Sequence, residues 1–178
     1  MRRIGFAFFP SIFLLALLMV HSAAEAQTNP APAGAALIAP ERIIVYTHAA
    51  LEYREFVDPL ICALQSVLQA EVLAKNVDFV LTQDMLEAPG QFTPLKIADA
   101  FMQTTATDEH PRTFKFLLLP YDLKAERYNY LFAQTFGGAA TPFHVSIVST
   151  ARLDPMVSLP GPLARANILS SRIYKIAV

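Results

Sequence analysis

The stretch "TFKFLLLPYDLKAERYNYLFAQTFGG", Thr113 to Gly138, changes its hydrophobic pattern midway, and that change sets the fold class. Its first part, Thr113 to Pro120, holds the unbroken apolar run Leu117 to Leu119. A strand apolar on both faces belongs inside a parallel sheet covered by helices. After the charged turn "YDLKAER", the segment Tyr128 to Phe136 alternates. Tyr128, Tyr130, Phe132, Gln134 and Phe136 share one side, and Asn129, Leu131, Ala133 and Thr135 the other. Alternation with period two predicts one half-exposed strand at a sheet edge. Only the short glycine-containing loop Gly137 to Pro142 joins it to the next apolar run, so the two strands are expected to run antiparallel.

The surroundings of this stretch alternate strand and helix. "RIIVYTH", Arg42 to His48, reads as a buried strand. Asp58 and Pro59 suit the N-cap and first position of a helix. Leu60, Ile61, Leu64, Val67, Leu68 and Val72 fall on one face of it, which carries the prediction to Lys75–Asn76. Val77 to Gln83 reads as a second strand, and "DMLEAPGQF" as a loop with a Pro-Gly turn. Thr93 and Pro94 open a second helix, with Ile97, Ala98, Phe101 and Met102 on its apolar face. Downstream, Phe143 to Leu153 is another strand. Pro162 stands near the start of a last helix, on which Ile173, Ile176 and Ala177 share one face and Arg172 and Lys175 another. The order is β-α-β-α-β-β-β-α. The class is therefore α/β, with a mixed, largely parallel sheet, right-handed crossovers and an antiparallel edge strand.

The N-terminal residues have a different character. Residues 1–26 combine Arg2 and Arg3, an apolar core from Phe6 to Val20, and the small-residue exit Ala24-Glu25-Ala26. This is the pattern of a signal peptide, with Gln27 the expected mature start and a periplasmic or secreted product. The alternative is a retained anchor, since the apolar run approaches the lower limit for a span, about 17 residues. Pro10 interrupts the run and no basic flank follows it. Residues 27–41 are rich in Ala and Pro and read as an extended linker. Residues 42–178 then form one small domain.

Charge narrows the partners. Without residues 1–26 the chain loses Arg2, Arg3 and Glu25, leaving 12 basic and 14 acidic residues, net −2. No basic stripe invites nucleic acid. The single cysteine, Cys62, forms no intrachain disulfide and lies in a helical apolar pattern, where a buried small hydrophobe is expected.

Familiar catalytic signatures are missing: no G-x-S-x-G, no phosphate-binding glycine loop, no C-x-x-C and no H-E-x-x-H. His48, His110 and His144 are too scattered to predict a zinc site. Asp122 follows a strand end, where functional groups of parallel sheets collect. The favoured reading is nevertheless a turn cap that bonds its own loop backbone. Arg152 follows another strand end and could pair with Asp122 or with a terminal carbonyl. The edge strand is the most suggestive feature. It carries no Lys, Pro or inward charge after Arg127, so it is either covered by a loop or partner, or open to an extended peptide.

Several of these residues together resemble the N-terminal half of the archaemetzincins, a branch of the metzincin-type zinc metallopeptidases. The resemblance rests on "YDL" (Tyr121 to Leu123), "YNYLFAQTFGG", "VSIVSTARL" (Val145 to Leu153) and the helix "SRIYKIAV". It implies a metzincin-like N-subdomain and peptide-bond hydrolysis with zinc. It also implies an edge strand that pairs with substrate backbone, here Ala133, Gln134, Thr135, Phe136, Gly137 and Gly138. In the family the zinc-binding H-E-x-x-H follows the R-x-x-K pattern by about one helical turn, roughly 3.6 residues. After Lys175 only Ile176, Ala177 and Val178 follow, so no zinc ligand or catalytic residue maps onto this chain. The resemblance therefore implies a C-terminally truncated or degenerate domain, without peptidase activity from the residues present. The alternative is a non-catalytic module that binds an extended peptide or protein segment along its open edge.

Overall fold

A computed structural model of the chain describes residues 40–108, 110, 112–137, 144–155 and 161–177. The expected signal peptide, nearly all of the expected linker, and Gly138 lie outside the described residues.

Strand β1 (Arg42–His48) and helix α1 (Val57–Leu68) come first. Asp58 stands in the first turn of α1 rather than at its cap, which is Phe56. Its carboxylate still suits the positive end of the helix dipole. The helix stops at Leu68, well before the expected Lys75–Asn76. Gln69 turns left-handed there, at φ 49°. Strand β2 (Glu71–Val77) follows at once, six residues earlier than the sequence pattern places its start. The cause is β1. Six of its seven residues are buried, and a buried strand needs backbone partners along both edges. Thr113–Leu119, strand β5, supplies one edge. Residues 71–77 supply the other, in parallel register from Arg42↔Glu71 to His48↔Val77.

The expected loop 83–92 is more ordered than its turn residues suggest. A 3-10 turn (Gln83–Met85) leads into β3 (Leu86–Ala88) and β4 (Gln91–Phe92), a small hairpin. Its Pro-Gly turn uses Gly90 at φ 73°, a conformation that costs glycine nothing. Helix α2 (Pro94–Thr104) begins with Thr93 at the cap, as expected, and buries Ile97, Ala98 and Phe101. A second 3-10 turn (Ala106–Asp108) then leads toward β5.

The segment expected to be a charged turn is strand β6 (Asp122–Ala125). The expected single edge strand from Tyr128 to Phe136 is two strands, β7 (Tyr128–Leu131) and β8 (Ala133–Phe136). They belong to different sheets. The break at Phe132 has a packing cause. In one straight strand Leu131 and Ala133 would face the same way. Here Leu131 packs into one hydrophobic cluster and Ala133 into the other. Strand β9 (His144–Ser149) and helix α3 (Pro162–Ala177) complete the order.

The main sheet runs β2-β1-β5-β9-β8, and β3-β4-β6-β7 form a second, small one. All neighbours in the main sheet are parallel except β8 and β9, which are antiparallel. This is the expected mixed sheet with an antiparallel edge strand. The central strands send alternate side chains into two layers. Ile43, Val45, Phe116, Leu118 and Val148 pack against α1 and α3. Ile44, Tyr46, Leu117, Leu119 and Ile147 pack against α2 and Leu123 of β6. The run Phe116–Leu119 is thus apolar because both faces of β5 are covered.

Candidate functional site: the outer edge of β8 and the strand ends beside it

The register of β8 decides what its edge offers. Ala133 lies opposite Val148, Gln134 opposite Ile147, Thr135 opposite Ser146 and Phe136 opposite Val145. The amide of Ser149 donates to the carbonyl of Phe132 at 2.8 Å, so that pair is a hydrogen-bonded one. Such pairs alternate along an antiparallel ladder. Gln134 and Phe136 therefore turn their backbone groups toward β9. Ala133 and Thr135 turn theirs outward, to the side where, among the described residues, the sheet has no further strand. Gly137, at φ 126°, leaves the extended conformation and ends the ladder. Of the six residues expected to contact a peptide, two thus present both N–H and C=O outward. Gln134 and Phe136 give their backbone to β9, with the Phe136 ring packed against the core, and Gly138 lies outside the described residues. On the inner side Thr135 Oγ1 bonds Ser146 Oγ at 3.2 Å, which fixes the strand to its neighbour.

Beside this edge stand the carboxyl ends of the parallel strands. Arg152 donates to Asp122 from Nε at 2.8 Å and from Nη2 at 2.6 Å. Gln91 donates to the same carboxylate at 2.9 Å and to the carbonyl of Asn129 at 2.9 Å. The Arg152 guanidinium holds the Asp122 carboxyl below the usual carboxylate range, with Gln91 assisting. It also lies over the Tyr130 ring, 4.5 Å from the centroid. The Tyr130 ring meets Phe132 edge-on at 5.3 Å. Ser149 Oγ bonds the carbonyl of Tyr121 at 2.6 Å, tying the end of β9 to the β5–β6 connection. The Asp122–Arg152 pairing was legible as one of two options. Gln91 carried no signal in the sequence, and Tyr130 only its place in the alternating edge stretch, because their contacts here are with tertiary neighbours.

The histidines do not converge. His48 ends β1 and uses both ring nitrogens internally, accepting from the Ala50 amide at Nδ1 and facing the Phe79 carbonyl with Nε2, each at 3.1 Å. His144 stands at the opposite end of the sheet, stacked on Phe114. His110 precedes β5 and faces its own loop backbone, the Arg112 amide, at 3.5 Å. Among the described residues no group of three His, Cys, Asp or Glu could hold a metal ion. Cys62, expected in the core, is exposed on α1.

Solved structures share the fold of this chain. One is a zinc-dependent peptidase from Methanocorpusculum labreanum, at TM-score 0.56 and 18% identity, covering 75% of each chain. Another is the archaemetzincin of Archaeoglobus fulgidus, at TM-score 0.54 and 17% identity over 76% of this chain and 72% of that one. The fold is that of the archaemetzincins. The archaemetzincin of Methanopyrus kandleri is similar too, at TM-score 0.50 and 20% identity over 79% of this chain and 71% of that one. No family model and no curated protein sequence matches the chain. On the archaemetzincin fold the chain thus keeps the sheet and an antiparallel edge strand. The residues described here do not fit the zinc that one such neighbour is named for.

Proposed function

We propose that this chain is an exported protein, periplasmic or secreted, that holds an extended peptide or protein segment along β8. The observation that carries the reading is the pair of outward backbone groups on Ala133 and Thr135. Outward N–H and C=O groups two residues apart repeat at about 6.8 Å, the spacing of another extended backbone. The archaemetzincin fold supports the same reading, since a peptidase scaffold handles extended peptide. The N-terminal sequence pattern supports export, and among the described residues no helix is long and apolar enough to cross a membrane.

The test is a titration of the isotope-labelled chain with a blocked Thr/Val pentapeptide. The amides of Ala133 and Thr135 are expected to shift and to exchange more slowly, while those of Gln134 and Phe136, already bonded to β9, change little. Absence of any response at Ala133 and Thr135 overturns the reading. Export is checked separately by the N-terminal mass of the protein in the extracellular fraction, which is expected to begin at Gln27.

A second reading, peptide-bond hydrolysis with zinc, is favoured by the likeness to a zinc-dependent peptidase. The described side chains supply no ligand set for that metal. On this reading they bind and orient the peptide, and the bond-breaking groups come from elsewhere. Zinc retained in equimolar amount after dialysis, together with cleavage of a denatured protein substrate, would establish it for the chain.

A further inference from the structure

We infer that Phe132 and Tyr130 form a side-chain subsite that selects an aromatic residue of the bound segment, directly opposite Phe132. This rests on the peptide-accepting edge proposed above. Phe132 still belongs to the β8–β9 ladder through its carbonyl. A segment hydrogen-bonded to Ala133 therefore places its next residue opposite Phe132. That position is a non-hydrogen-bonded one, where facing side chains come closest. Phe132 and Tyr130 are exposed although large and apolar, at 39% and 44%. Their rings touch, so they offer one continuous surface.

The surface is held in place before any ligand arrives. Arg152 lies over Tyr130, Asp122 fixes Arg152 from two atoms, and Gln91 ties Asp122 to the backbone of Asn129 on β7. A ring held this way loses little freedom on binding. The Arg152 and Asp122 charges beside the ring are paired with each other. What the subsite offers a ligand is the aromatic face of Tyr130 against Phe132, and a ring matches that face in kind. Ring-on-ring contact in edge or offset geometry then adds to the area buried.

The experiment uses the full chain and blocked Ser/Thr hexapeptides that carry one Phe at each position in turn, with an all-Ser/Thr control. One Phe position is expected to bind about tenfold tighter than the control, with nuclear Overhauser contacts from its ring to Tyr130 and Phe132. Tyr130→Ala and Phe132→Leu are expected to remove that gain while the Ala133 and Thr135 amides still respond. Phe132→Leu keeps the apolar bulk, so the fold is preserved. Equal binding of all peptides, with those amides responding, overturns the subsite and leaves the edge reading standing. A gain that survives both substitutions also overturns it. No response at Ala133 and Thr135 overturns the edge reading and the subsite with it.

Discussion

Arg152 grips Asp122 from two atoms and lies over Tyr130 with the same guanidinium, so one side chain couples the end of β9 to β6 and to β7. Replacing it by Gln removes the charge that holds the Asp122 carboxyl low. The carboxyl titration, followed by carbon NMR, is expected to move up toward the ordinary carboxylate value of about 3.9. The Tyr130 ring signals should move with the substitution as the guanidinium leaves. An unmoved Asp122 titration would show that Gln91 and the backbone alone hold it.

Proline distinguishes the two sides of β8. It lacks the N–H that a ladder position must donate. Gln134→Pro removes a bond to β9 and leaves its partner carbonyl unpaired, which is expected to cost about 1–3 kcal/mol. Thr135→Pro removes an outward N–H, so it should cost clearly less while abolishing the peptide response at that position. Urea unfolding of both variants checks the order. A larger loss from Thr135→Pro than from Gln134→Pro would mean the ladder alternates the other way.

Acid should weaken the fold through Asp108. Its carboxylate accepts from Lys75 at 2.6 Å and from the Tyr46 hydroxyl at 2.5 Å, and Lys75 first, then Tyr46, hold it below its ordinary value. A depressed carboxylate stabilises the fold above its unfolded value. That contribution is lost as pH falls below about 4 and through the lower folded value. Asp108→Asn should flatten the acid limb of a urea-midpoint profile. Burial, reinforced by Asp108, pushes the Tyr46 hydroxyl up. Stability should therefore also decline above the ordinary tyrosine value, about pH 10, and Tyr46→Phe should remove that alkaline limb.

Gln69 holds the left-handed conformation that ends α1, at φ 49° and ψ 30°. Side chains other than Gly, Asn and Asp rarely adopt it. Gln69→Gly is expected to raise stability by about 0.5–1 kcal/mol at unchanged m-value. A loss instead would show that the Gln side chain contributes contacts worth more than the relief.

Local chemistry in the sequence was sufficient for β1, β5, α2 and α3. A β-branched run, an unbroken apolar run and proline-led helices each specify their own conformation. It was also sufficient for the antiparallel joint between β8 and β9, since a short glycine-containing loop allows little else. It was misleading at residues 69–77. There Gln, Ala, Glu, Leu and Lys all favour helix, and only the demand of the buried β1 for a second backbone partner makes them a strand. The Tyr128–Phe136 alternation was real, but it could not show the bend at Phe132, because the two clusters that claim Leu131 and Ala133 exist only once the sheets are packed. Cys62 fits a helical apolar pattern yet sits on its exposed flank. By itself the sequence determined that a mixed sheet with an antiparallel edge would form. Tertiary structure decided which two residues of that edge face outward, and which ring stands beside them. Hydrogen-bond phase and ring placement depend on register with a neighbouring strand, which no single segment contains.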